Sequence, residues 1–347
     1  MRELRPFGVG MITAVFVSCS AASPSDALFD WATIGDVGNH GYDRQTINNA
    51  LVGRGAVDYE YRVARNEVST GQYLAFLNTF STQSDALAQR LRPPSHWGAE
   101  RDRSYGGPGV RYTLRIDVPD ADRLPLIGLN WRGAAYYINW MNNDLSSDSL
   151  AIENGAYDAS TFTDNPQGGF NDQDARNPGA RYFLPTWDEA IKASHWDPDK
   201  FGPGDGGWWI YNDGSDTEPI GGPPGEGETS ARWIDNMFGS RPAQDTPLGS
   251  YPGTTTPWGL LDASGGGGEW TETWIDVGVD VNIGRYWTGH PAGILGNVDD
   301  ATFSGSDWPI NESYTTLRIA ATVPAPVSLA GPLIALVFTS SRRKRQT

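Results

Sequence analysis

Only three stretches of this chain carry a helical apolar period, and long runs thick with Gly, Pro, Asn and Asp separate them. That spacing confines regular structure to a few short elements held between irregular loops. In the first stretch Tyr73, Phe76, Leu77 and Phe80 recur at i, i+3, i+4 and i+7, with Ser69 or Thr70 placed to cap the start. The second runs from Trp131 to Met141, with Trp131, Ala134, Ala135, Ile138 and Met141 on one face. The third opens on Thr186-Trp187-Asp188-Glu189, a capping box with Thr at the N-cap and Glu at N3. Lys192 and His195 stand near its end, where the helix dipole favours positive charge, and Asp197-Pro198 stops it. His195 is accordingly expected at the surface, and residues 202–228 are expected to be irregular.

The 347 residues suit one large domain or two ordinary ones, and neither an internal repeat nor a linker divides them. With 38% hydrophobic residues and 14 Trp the chain is too apolar for disorder, and its 42 Gly lack the collagen period. The formal charge of −16 argues against a protein that grips phosphate backbones, so no nucleic-acid partner is expected. A single Cys excludes a disulfide framework, a zinc ribbon and an iron–sulfur cluster within the chain.

Both ends read as addresses. Residues 1–27 carry Arg2 and Arg5, an apolar stretch from Val9 to Val17, and small residues from Ser18 to Ala27, the three regions of a secretory signal peptide. Cleavage after Ala22 or after Ala27 fits, and lipidation of Cys19 is the alternative. At the other end an apolar run from Val327 to Phe338, interrupted at Gly331-Pro332, precedes Arg342-Arg343-Lys344-Arg345. The run is shorter than the roughly 20 residues of a spanning helix, and the basic cluster would stay on the cytoplasmic side. Residues 324–347 resemble the PEP-CTERM sorting tail, with Ala325 where that family has Glu. The resemblance implies a Gram-negative host, transient membrane association through the tail, and release or retention at the cell surface. A plain C-terminal membrane anchor is the other reading. Between these ends, residues 28–323 keep 20 basic and 40 acidic groups, a balance that repels anions and favours divalent cations.

The order of the remaining blocks carries a second resemblance. Tyr61 to Ser69 followed by Tyr73 to Asn78, then Pro125 to Asn142 with Trp131 and Asn139-Trp140, resemble the opening strand and the two helices of the formylglycine-generating enzyme (sulfatase-modifying factor) domain. Arg181 to Ala190 is similar to its "R-[YW]-x-L-P-T-E-x-E-W" segment, departing at Trp187 and Ala190. Trp258 to Thr271 is similar to "G-L-x-D-M-x-G-N-V-W-E-W-T", and Leu317-Arg318-Ile319-Ala320 stands where the family closes on "G-F-R-x-A". The lead-in from Asp30 to Asn39 resembles exported bacterial members that carry the same tail. The resemblance implies an α+β, C-type-lectin-like fold: a small mixed, largely antiparallel sheet, two or three helices and long loops. It would occupy residues 28–323.

What the family's chemistry needs is missing. Its enzymes use copper and two Cys in the stretch before the closing block, and copper(I) wants soft thiolates. Here Gly284 to Leu317 contains neither Cys nor Met, His290 is its one His, and the chain's one Cys, Cys19, lies in the export signal. No copper and no catalytic residue are expected, which makes the domain a pseudoenzyme for formylglycine generation. The family's iron branch takes three His from an added helical domain, whereas His40, His96, His195 and His290 lie in separate blocks. The best surviving site is the Gly-rich loop: carried over from the family, the candidate calcium ligands are Asp262, Gly265, Gly267 and Glu269, around a loop where Gly266 and Gly268 replace Asn and Trp, and the alternative is a purely structural turn. The flanking Trp258, Trp270 and Trp274 point to a packed turn. Asp276, Asp280 and Asn282 form an acidic patch that fits a solvated surface, and Trp208, Trp209 and Tyr211 suit core packing or stacking on sugar rings.

The reading leans towards a non-catalytic module that binds envelope polysaccharide or another surface protein. The alternatives are an enzyme of the same fold with new chemistry, and a structural matrix protein.

Overall fold

A computed structural model describes residues 23–44, 51–166, 169–231, 233, 244–276, 283–288, 306–307, 310 and 314–324. The apolar leader with Cys19, the basic tail, Asp280, Asn282 and His290 lie outside the described residues. The described part belongs to one compact unit, Ser23–Val323, apart from Pro324.

Helix formation follows the caps. In α1 (Thr70–Phe80) Ser69 is the N-cap: its hydroxyl accepts from the Gln72 amide, and the Gln72 side chain accepts in return from the Ser69 amide at 2.8 Å. Tyr73, Phe76, Leu77 and Phe80 are fully buried, as their spacing requires. A further short helix, α2 (Asp85–Arg90), is capped by Ser84. Helix α3 (Trp131–Asn142) starts at Asn130, whose side chain accepts from the Gly133 amide at 2.7 Å. Its expected face is buried, and so are Tyr137, Asn139 and Trp140, so the helix runs through the core instead of over it. Helix α4 (Trp187–His195) carries the Thr186–Glu189 capping box in both directions.

His195 departs from its surface expectation: it is 1% exposed. The chain crosses back over the end of α4, where β6 (Trp196–Asp197) pairs with β7 (Gly207–Trp208) and Trp208 packs on Trp196 at 5.1 Å. Lys192 is equally buried and donates to the carbonyls of Asp36 and Val57.

Two four-stranded sheets frame the core. In the first, β1 (Trp31–Ile34), β2 (Tyr61–Ala64), β12 (Ala320–Thr322) and β5 (Tyr182–Phe183) lie antiparallel in that order. In the second the order is β10 (Ser306–Asp307), β9 (Ile283–Thr288), β8 (Gly268–Asp276) and β11 (Thr315–Thr316), with β11 parallel to β8. A small hairpin joins β3 (Ala99–Arg101) to β4 (Tyr112–Leu114). Early and late segments therefore meet: Ala320 sits opposite both Val63 and Phe183. This brings the Leu317–Ala320 block beside the start of α1 and the Gly-rich loop. A satellite core of Tyr42, Leu51, Trp187, Ile191, Trp196 and Trp208 packs beneath the loops. Trp208 is thus a core residue, while Trp209 and Tyr211 are half-buried.

Residues 23–27, read from sequence as the end of the leader, pack on the domain. The buried Ser25 hydroxyl donates to Met141 O at 2.7 Å, and Asp26 takes both terminal nitrogens of Arg62. Among the described residues no helix is long and apolar enough to cross a membrane.

Candidate functional site

The Gly-rich loop lies where the two sheets approach, and its shape is set by what it touches. Gly265 has φ +81°, and a Cβ there would sit 2.2 Å from Ser230 Oγ. A Cβ on Gly267 would meet Ile127 Cδ1 at 2.9 Å and the Thr316 side chain at 3.2 Å. Trp270 behind it is fully buried, with its indole donating to Leu129 O at 2.6 Å. The segment is a packed turn in which bulk is excluded.

The two carboxylates expected as ligands are already engaged. Asp262 stands in the left-handed region, φ 53°, and its Oδ2 accepts from Asn66 Nδ2 at 3.0 Å and from the Gly249 amide at 2.6 Å. Burial holds its carboxyl above the usual carboxylate range, opposed by these donors and by Arg318. Glu269 accepts from Arg318 Nε at 2.7 Å and is likewise pushed up by burial, opposed by that guanidinium. Arg318 gives its remaining donors to the carbonyls of Ala64, Arg65 and Leu261. A cation ligated through Glu269 would share that carboxylate with a guanidinium. Gly265 and Gly267 lie on the same turn between these two acids.

A third carboxylate completes the cluster. Glu67, at the turn between β2 and α1, is 2% exposed. Its Oε2 accepts from Thr316 at 3.4 Å, but its Oε1 has no hydrogen-bond partner. Burial, reinforced by the charge of Glu269, holds the Glu67 carboxyl well above the usual range. Glu67 and Arg318 both stand in blocks conspicuous in the sequence, yet nothing local signals that they converge: 249 positions separate Glu67 from its partner Thr316.

Three depressions meet around these acids. The largest is a cleft enclosing about 820 Å³, open solvent included, with Phe29, Asp30, Asn66, Glu67, Gln72 and Arg123 among its walls. A smaller pocket of about 290 Å³ on the same measure is lined by Glu67, Ser230, Thr246, Tyr251, Asp262 and Ser264 together with two prolines. Tyr251, Asp262 and Ser264 also border a third, of about 240 Å³, with Asn212 and Thr254 to Thr256. Among the described residues no three His, Cys, Asp or Glu are grouped as metal ligands.

Elsewhere, a second buried charge network anchors α4. Arg176 pairs with Glu189 at 2.7 Å and Glu272 at 3.0 Å while lying 3.7 Å over the Phe183 ring. Burial raises Glu272 to about 7 against the pull of Arg176.

Comparison with known proteins places this geometry in context. The family profile described as FGE-sulfatase, sulfatase-modifying factor enzyme 1-like domain, matches residues 54–308. Among solved structures the chain is similar to CarF, with 17% identity, 85% of this chain and 99% of that chain covered, and a TM-score of 0.47. It is similar to variable protein 1 of Treponema denticola, with 15% identity, 85% and 95% covered, and a TM-score of 0.47. The third is PvdO from Pseudomonas aeruginosa, with 15% identity, 85% and 92% covered, and a TM-score of 0.41. No curated protein matches.

Proposed function

Because the chain belongs to the sulfatase-modifying factor enzyme 1-like domain family, we propose that it is a catalytically degenerate member exported to the cell surface as a glycan-binding module. One observation carries the loss of the ancestral chemistry: no Cys follows Cys19, so the thiolate pair that copper(I) requires is absent from the domain. Among the described residues α1, α3, α4 and both sheets are formed. A retained scaffold without its nucleophile suits binding better than turnover.

The ligand reading rests on the cleft beside α1. Its walls mix acceptors (Asp30, Asn66), an amide (Gln72), a cation (Arg123) and the apolar faces of Phe29 and Leu248. Alternating hydrogen-bonding groups with an aromatic face match a hydroxyl-rich ring, which needs donors, acceptors and a stacking surface together. The acidic balance of the domain favours a neutral polysaccharide over an acidic one. Export is supported by the leader-like start and the PEP-CTERM-like tail.

Binding of the purified protein to a panel of neutral and acidic glycans tests this. Binding is expected to neutral polymers and to weaken about tenfold or more on Phe29→Ala or Arg123→Ala. No binding anywhere on the panel overturns the glycan reading.

A further inference from the structure

The turn that follows α3 is held together by side-chain amides. Asn143, the C-cap of α3, donates through Nδ2 to Asn154 O at 2.7 Å and to Ala151 O at 3.0 Å. Asn177 donates through Nδ2 to Asn154 Oδ1 at 3.1 Å and to Gly155 O at 3.0 Å. Backbone groups fix how these amides face. Gln173 Oε1 accepts from the Asp158 amide at 2.8 Å, so its Nε2 is the donor to Asn177 Oδ1 at 3.1 Å. Asn177 must then present its nitrogen to Asn154, and Asn154 its carbonyl oxygen.

Asn154-Gly155 is the one Asn-Gly pair in the chain. Position 155 has no room for a Cβ, which would lie 2.8 Å from Asn139 Cα and 2.9 Å from Asn139 Oδ1. Asn139 is not free to give way: it is fully buried, and its side chain holds Ile152 O, Tyr157 O and the Tyr157 amide. The fold therefore demands glycine after Asn154. The Gly155 amide has no side chain beside it and makes no hydrogen bond among the described residues. Asn154 is exposed, so its side-chain nitrogen has a path into water.

We propose that Asn154 is a self-modification site, converted by its own backbone to aspartate and isoaspartate through a cyclic imide. The Gly155 nitrogen attacks Cγ of Asn154 and forms the new C–N bond. The Cγ–Nδ2 bond breaks, and the proton lost from Gly155 departs with that nitrogen as ammonia. Water then opens the imide at either carbonyl, giving aspartate, or isoaspartate with the main chain rerouted through Cγ. The Asn177 donor on Oδ1 polarises the carbonyl under attack and stabilises the oxyanion that forms there. Aspartate keeps the main-chain carbonyl that Asn143 holds. Isoaspartate lengthens the main chain and withdraws that carbonyl, only three positions before Tyr157, whose hydroxyl donates to Glu272 and accepts from the Leu184 amide.

The test incubates the purified full-length chain, folded and in urea, at neutral and at mildly alkaline pH. Peptides spanning residue 154 are read by mass spectrometry, and an isoaspartate methyltransferase assay separates the two products. The folded wild type is expected to gain the deamidation mass at Asn154, faster at alkaline pH because the attacking nitrogen must lose its proton. Asn177→Asp still accepts from Gln173 but cannot donate to Asn154, and is expected to slow the reaction about fivefold or more. Should that variant fail to melt cooperatively, Asn177→Ser removes the same donor without adding charge. Reaction confined to the urea sample overturns the proposal, because the turn would then protect Asn154. So does a folded Asn177 variant that reacts as fast as the wild type or faster. Neither outcome bears on glycan binding, which is measured separately.

Discussion

Arg318 donates to Glu269 across 2.7 Å with their side chains 2% and 10% exposed, so the Leu317–Ala320 block is clamped to the Gly-rich loop by a buried ion pair. The same guanidinium reaches back to the carbonyls of Ala64 and Arg65 at the end of β2. One side chain thus ties together three segments drawn from the beginning, the loop and the end of the domain.

Removing Arg318 alone should therefore be severe. Arg318→Met leaves Glu269 buried without its partner and is expected to cost about 3–5 kcal/mol in urea denaturation. Glu269→Leu combined with Arg318→Met should recover a large part of that loss, because no isolated charge then remains. Equal destabilisation by the single and double variants would show that the backbone contacts of Arg318, and not its charge, are what matter.

Stability should fall as pH rises from about 4.5 to about 7. The folded Glu272 carboxyl, raised to about 7 by burial, holds a proton that the unfolded chain has already released in that window. Folding then binds protons, and the slope of stability against pH is negative. Glu67, Asp262 and Glu269 are raised as well and act in the same direction. Melting at pH 5 should occur above melting at pH 8, and Glu272→Gln should flatten the curve between them. A protein that melts higher at pH 8 would contradict this.

Much of the helical frame was legible in the sequence, because caps and apolar periods are local. Ser69, Thr186 and Glu189 signal their helix starts within four residues, and the structure uses each as expected. The sheets were not legible strand by strand: β5, β7 and β11 span two residues each, too few to display alternation. The carboxylate cluster failed for a different reason. Glu67 stands at a helix entry where an acid looks ordinary, and its burial comes from Thr316 and the Gly-rich loop, which approach only in three dimensions. His195 was misplaced by the same limitation, since its dipole position is local while the β6–β7 crossing that covers it is not.

Under the proposed export, cleavage is expected after Ala22, leaving Ser23 as the first residue. Cleavage after Ala27 would remove Asp26 from Arg62, which also stacks over Trp31 at 4.8 Å, and would remove the Ser25 hydroxyl from Met141 O. N-terminal sequencing of the secreted protein decides between Ser23 and Leu28. Asp26→Ala should lower stability by about 1 kcal/mol, the scale of a partly exposed bidentate pair.

A peptide carrying a sulfatase cysteine motif should stay unmodified when incubated with the purified protein and copper. The chemistry requires thiolates, and no Cys follows Cys19. Mass spectrometry that detects formylglycine above a protein-free control would refute the degenerate reading outright.

Gly266 offers the sharpest probe of the loop, because its two requirements separate. Its φ of +64° strains an ordinary side chain, yet a Cβ there would meet only Glu67 Oε1, at 3.9 Å. Gly266→Ala is expected to cost about 1–2 kcal/mol, since Ala carries the left-handed penalty and gains no partner. Gly266→Asn should behave differently. Asn tolerates the left-handed region, narrows the unfolded ensemble relative to Gly, and points an amide towards the carboxylate oxygen that lacks a donor. A gain of about 1 kcal/mol follows, a rise of about 2 °C in a domain of this size. Combined with Glu67→Gln the gain should shrink, because the acceptor is then weaker. If Gly266→Asn destabilises as much as Gly266→Ala, the unpartnered oxygen is not within reach of position 266, and the approach of Glu67 to the loop is looser than its burial implies.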